Sequence, residues 1–128
     1  MSDAAGPDFE VTVQRSGGNA VVQVAGELDL ASAPTLSDAL RDLEAPCDRV
    51  ILDLSRLTFI DSTGLRLAIA EHRRAELDGF DFVVAGATAS ILRVLRVTGL
   101  DAVLPMAPDV ASALDEESDG AADSPSAT

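Results

Sequence analysis

One short stretch of the chain sets an acid, two hydroxyls and a glycine in a row: Asp61-Ser62-Thr63-Gly64. Before it, Leu57-Thr58-Phe59-Ile60 is apolar and partly β-branched, the pattern of a strand or strand end. From Leu65 the apolar spacing turns helical, through Ala68, Ile69 and His72. Asp61 or Ser62 then stands where a helix begins, a position that favours a short oxygen-bearing side chain. Helix starts carry unsatisfied amides and the positive end of a dipole. A hydroxyl there is easy for another protein to reach, and a phosphoryl group on Ser62 would meet amides that accept negative charge. Taken alone, the same run does no more than start a helix.

Catalysis by the chain itself fits less well. A nucleophile elbow needs glycine two residues before and two after its serine. Gly64 meets that requirement around Ser62 and Ile60 does not. The one histidine, His72, lies about 15 Å further along the same helix at 1.5 Å per residue, beyond general-base reach. It reads instead as a partly buried residue beside the apolar face. One His, one Cys and scattered carboxylates show no metal-ligand spacing. Neither a Gly-x4-Gly-Lys-[Ser/Thr] loop nor G-x-G-x-x-G is present, so no nucleotide site is written here. The sequence therefore predicts no catalytic residue, no metal and no cofactor. Cys47 cannot form an internal disulfide and reads as a small filler near the start of a strand.

The 128 residues suffice for one domain with one core. Apolar residues make up 47%, yet only four are Phe and none is Trp or Tyr, so Val, Leu, Ile and Ala must build that core. A net charge of −13 opposes nucleic acid, whose binding relies on basic side chains, and anionic membrane surfaces. No apolar run approaches the ~20 residues that span a bilayer. Met1 to Pro7 lacks the basic start and apolar core of a signal peptide, which predicts a cytoplasmic protein.

The elements that must position Ser62 follow from the spacing. Residues 1–7 read as a flexible N-terminus. Phe9 to Gln14 alternates as a strand, Ser16 to Asn19 is a turn, and Ala20 to Leu28 is a second strand, together a hairpin. After a loop at 29–33, Pro34 opens a helix through about Glu44 with Leu36, Ala39, Leu40 and Leu43 on one face. Arg49 to Leu54 is nearly continuous in its apolar run, as in a central strand covered on both faces. The helix after Asp61 runs to about Asp78, with Gly79 closing it. Asp81 to Ala85 is a strand, Thr88 caps a helix to Val97, and Gly99 ends that helix. Val103-Leu104 reads as a short edge strand, 109–115 as a last helix, and 116–128 as a disordered acidic tail. The class is α/β: a single domain over 8–115, its mainly parallel central sheet of four to five strands accompanied by about four helices.

Four segments, in order, resemble the STAS-domain family and within it the bacterial anti-sigma-factor antagonists. Val24-Ala25-Gly26-Glu27-Leu28-Asp29 resembles the family's G-E-L-D at the end of its second strand. Val50 to Ser55 resembles its central strand, and Phe59-Ile60-Asp61-Ser62-Thr63-Gly64-Leu65 its phosphorylation motif, D-S-[ST]-G-L. Leu95-Arg96-Val97-Thr98-Gly99-Leu100 resembles the later L-x-x-T-G-L helix end.

What the resemblance implies is partner switching. An unmodified antagonist binds an anti-sigma factor that is also a serine kinase and so frees a sigma factor; phosphorylation releases it until a serine phosphatase restores it. Carried onto this sequence, the phosphoacceptor falls on Ser62, with Thr63 as the alternative. The partner-binding set falls on Glu27, Asp29, Asp61, Ser62, Thr63 and Gly64. Arg66, Arg73 and Arg74 read as solvated positions, and Arg66 is left with two readings, contact to the partner or to the phosphate. Oligomeric state stays open. A second reading within the same fold also stays open, a non-switching scaffold or accessory subunit of a stress-sensing or transport complex.

Overall fold

A computed structural model describes residues 9–43 and 47–115. The expected N-terminal lead-in and the acidic tail lie outside the described residues, and the first helix, expected to reach about Glu44, ends at Arg41 with Asp42 as its C-cap. β1 (Phe9–Ser16) and β2 (Asn19–Leu28) form the expected antiparallel hairpin. Ser16 pairs with Asn19, which leaves Gly17 and Gly18 as a two-residue turn, and Gly17 takes the left-handed φ of 59° that such turns require. There follow α1 (Ala33–Arg41), β3 (Arg49–Ile60), α2 (Ser62–Asp78), β4 (Asp81–Ala85), α3 (Ala89–Val97), a 3-10 turn over Leu100–Ala102 and β5 (Met106–Ala107). Residues 110–115 form a last helix, α4.

The strands lie in the order β1-β2-β3-β4-β5, parallel from β2 onward. Each of the three crossovers steps one strand in the same direction. Right-handed connections then send α1, α2 and α3 to one face of the sheet. The packing agrees: Val22, Val24 and Leu28 of β2, Leu52 and Leu54 of β3 and Phe82 of β4 share a core with Leu36, Leu40, Ala68, Ile91 and Leu95. On the opposite face Ile51, Val83, Ala85 and Ala107 pack against Ala113 of α4, with Val110 and Leu114 alongside. Arg49 to Leu54 is buried throughout, as its continuous apolar pattern requires.

Three further sequence expectations change. The central strand expected over Arg49–Leu54 continues to Ile60, so Leu57–Ile60, read as a strand or strand end, is the end of β3 itself. Its pairing with β2 shifts between Gln23 and Ala25 and again between Gly26 and Glu27, each time with one extra residue on β3. Those bulges let Leu54, Leu57 and Ile60, three apart, all face the helices. Second, the edge strand is Met106–Ala107 and not Val103-Leu104. The amides of Val103 and Leu104 turn back to Leu100 O, and the ladder begins with Pro105, whose carbonyl accepts from Val84. Leu104 is buried in the core as the turn carries it inward.

Third, Arg74 is not simply solvated. Glu71 turns inward with its side chain 8% exposed, and Arg74 holds it through bonds of 3.2 Å and 2.6 Å. The bond to Glu71 is the main cause that raises the Arg74 pKa above its ordinary value. The same guanidinium lies 5.1 Å over the Phe80 ring. A signal existed in the sequence, because Glu71 falls on the stripe Gly64, Ala68, Ala75 that α2 buries. An Arg74→Ala variant leaves that carboxylate without its cation. Because water still reaches the site past a half-exposed Arg74, urea unfolding is expected to show a loss of roughly 2 kcal/mol rather than the larger cost of a sealed pair. Adding Glu71→Leu should recover most of it.

Candidate functional site

β2 and β3 run parallel, so their carboxyl ends share one edge of the sheet and their following loops emerge side by side. Leu28 pairs with Ile60 in the last step of the ladder. The Asp61 amide then donates to Leu28 O at 3.1 Å, tying the two exits together. This is why Glu27 and Asp29, distant in sequence, stand beside Asp61 and Ser62.

Asp61 is the N-cap of α2. Its backbone is extended (φ −111°, ψ −172°), and its Oδ1 accepts from the Thr63 amide at 2.9 Å and the Gly64 amide at 3.2 Å. Ser62 is accordingly the first helical residue, exposed, and its hydroxyl makes no hydrogen bond among the described residues. Thr63 is half-buried one residue on. Two of the amides expected to receive a phosphate are thus already taken by Asp61, a correction to the sequence reading with electrostatic consequences.

Gly64 acts through absence of a side chain. It is buried, and a Cβ there would lie 2.8 Å from both Ile60 Cγ1 and Leu28 Cγ. The start of α2 can therefore rest directly on the ends of β2 and β3. The sequence reading places Gly64 in an expected partner-binding set; the structure puts it beneath the surface, where it positions its neighbours.

On the β2 side, the exposed Glu27 side chain makes no hydrogen bond or ion pair among the described residues. Asp29 is committed to its own loop: Oδ1 accepts from the Ala31 and Ser32 amides, both at 3.1 Å. Ser32, which sequence reasoning passed over, completes the turn. Its hydroxyl donates to Glu27 O at 2.7 Å and accepts from the Asp29 amide at 2.9 Å. The sequence signal was a serine one residue before an Ala-Pro helix start. Leu30 at this loop is 74% exposed, and Phe59 beside Glu27 in the ladder is 47% exposed.

Between α1 and α2 runs a groove of about 460 Å³ lined by Leu30, Pro34, Arg41, Thr63, Arg66 and Leu67. Arg41 pairs with Asp38 at 3.4 Å. Arg66 is exposed and makes no ion pair among the described residues. Those residues also hold no group of three or more His, Cys, Asp or Glu placed for a metal, and no helix long and apolar enough to cross a membrane. His72 is half-buried as expected, 3.5 Å from Glu76 and on a later turn of α2 than Ser62.

Comparison with known proteins gives a consistent result. The sequence profile of the STAS domain matches residues 10–113. The anti-sigma-F factor antagonist RsfB of Mycobacterium tuberculosis is 33% identical over 98 residues, covering 74% of this chain and 79% of that protein. The crystal structure of an anti-sigma factor antagonist from Mycobacterium paratuberculosis superposes with a TM-score of 0.76 at 28% identity, over 88% of this chain and 97% of its own. The Bacillus cell fate determinant SpoIIAA, solved in its phosphorylated form, shares the fold with a TM-score of 0.65 at 19% identity, over 84% and 98% of the two chains.

The geometry separates the duties of two site residues. Asp61→Ala should lower stability by about 1 kcal/mol through loss of the cap, whereas Asp61→Asn should stay close to the parent. Gly64→Ala should cost about 1–3 kcal/mol by overpacking, against the trend of helix propensity. Urea denaturation with backbone amide spectra of the Leu28, Ile60 and Ser62 region checks both.

Proposed function

The chain belongs to the STAS-domain family and within it to the anti-sigma-factor antagonists, and from that premise we propose that it works by partner switching controlled at Ser62. Unmodified, it binds an anti-sigma factor that is also a serine kinase and so releases a sigma factor in the cytoplasm. The kinase transfers phosphate to Ser62 and the complex separates; a serine phosphatase returns the chain to its binding form. The positioning, metal and nucleotide of phosphoryl transfer are the kinase's part.

The observation that carries this reading is the state of Ser62: an exposed, unbonded hydroxyl on the first residue of a helix that Asp61 already caps. A hydroxyl so placed is reachable without unfolding, and its modification breaks no internal bond. That a protein of this fold has been solved in a phosphorylated form supports the same reading.

The partner surface is proposed to comprise Glu27, Asp29, Asp61, Ser62 and Thr63, held from below by Gly64, with Leu30 and Phe59 as apolar contacts at its border. Phosphate adds about −1.5 to −2 charges. It arrives among Glu27, Asp29 and Asp61, and against a partner fitted to a neutral hydroxyl. Each 1.4 kcal/mol lost weakens binding tenfold, and an uncompensated buried charge costs several times that. One modification is large enough to switch partners.

Intact-mass and fragment mass spectrometry of the protein from its source cells, beside a Ser62→Ala version, tests the proposal. One phosphate on Ser62, absent from the variant, is the expected result, together with retention of a kinase-type anti-sigma factor by Ser62→Ala. A phosphate on Thr63 keeps the mechanism and moves the residue. Absence of phosphate at both positions across growth and stress conditions contradicts it.

A further inference from the structure

The start of α2 offers little counter-charge to a phosphate on Ser62, because Asp61 Oδ1 occupies the amides of Thr63 and Gly64 and Asp61 O takes that of Leu65, leaving only the amide of Ser62 itself. Asp61 itself adds negative charge on the same turn, and Glu27 and Asp29 stand at the adjoining strand end. The acids outnumber the bases here, and a dianion needs a cation that is not already engaged.

Arg66 meets that requirement. It lies four residues after Ser62 in an unbroken helix, so the two share a face about 5–6 Å apart at Cβ. Side chains on a helix lean toward its N-terminus, which aims Arg66 back over the first turn. Both residues are exposed, and Arg66 makes no ion pair among the described residues. The other arginine lining the groove, Arg41, is paired with Asp38. Guanidinium offers a planar fork that matches two phosphate oxygens.

We infer that Arg66 is the counter-ion of phosphorylated Ser62, clamping the phosphate from one helical turn away. The inference rests on Ser62 being the modified residue. In the unmodified chain the guanidinium stands free at the edge of the α1–α2 groove beside Leu30, Thr63 and Leu67. Phosphorylation draws it back along α2. A partner then meets two changes at once: a new anion, and the loss of a cation that was available to its own carboxylates. Neither change requires the backbone to move.

The test uses the full chain with phosphoserine inserted at position 62 during translation, so no kinase is needed. The phosphorus-31 resonance is titrated through the second ionisation of the phosphate, near pH 6. The nearby charged groups, Asp61, Glu27, Asp29 and the Arg41–Asp38 pair, are the same in every sample. Arg66→Gln is expected to raise the midpoint by about half a unit, because a cation holds the dianion against protonation. Arg73→Gln, exposed two turns further along the helix, removes the same charge and should leave the midpoint where it was. A midpoint unmoved by Arg66→Gln, or moved equally by Arg73→Gln, overturns the clamp. Phosphate installed this way reports on Arg66 even if cells never modify Ser62, so the two proposals fail separately.

Discussion

Gly64 has no side chain, and Leu28 and Ile60 fill the space one would take. Everything at the site depends on that close approach. It seats the first turn of α2 on the final residue pair of two parallel strands, where the Asp61 amide reaches Leu28 O. The cap, the exposed Ser62 and the neighbouring Glu27 loop are then fixed relative to one another by the core. Because Leu28 and Ile60 are themselves buried, a shift of α2 would open a void among apolar side chains as well as break a hydrogen bond.

On this rigid base the chemistry is left to charge. Asp61 and Asp29 spend their carboxylates on backbone amides, one to begin α2 and the other to hold the loop before α1. The Glu27 carboxylate and the Arg66 guanidinium make no hydrogen bond or ion pair within the described residues. The pairing of committed and uncommitted charges gives a surface whose shape does not change while its electrostatics can. That is what the proposed reversible mark at Ser62 would need: a fold that absorbs a phosphate locally beside a partner that would not.

Much of this was legible in the residues. The hairpin, the buried run from Arg49 to Leu54, the strand Asp81–Ala85 and the caps at Thr88 and Gly79 follow from period, turn chemistry and capping. The D-S-T-G run pointed to the start of α2 as the candidate site. What escaped was set by tertiary context. The β3 bulges cannot be read from a pattern that assumes strict alternation, and Leu104 hid the true edge strand because an apolar residue in a turn looks like one in a strand. Glu71 was passed over as a buried acid, although it lies on the stripe that α2 buries, because its partner Arg74 looked like any solvated base. The residues left the cap to Asp61 or Ser62; the structure gives it to Asp61, which takes the Thr63 and Gly64 amides that a phosphate was expected to use.

The central claim is that the state of Ser62 alone decides whether this chain holds its anti-sigma factor. Its most direct measurement is calorimetric titration of that partner, recovered with the Ser62→Ala chain, into two preparations differing only in phosphate at position 62. The account predicts that the phosphorylated chain binds at least about a hundredfold more weakly, equivalent to roughly 2.7 kcal/mol, with the fold unchanged by circular dichroism. Equal affinity of the two forms would contradict it.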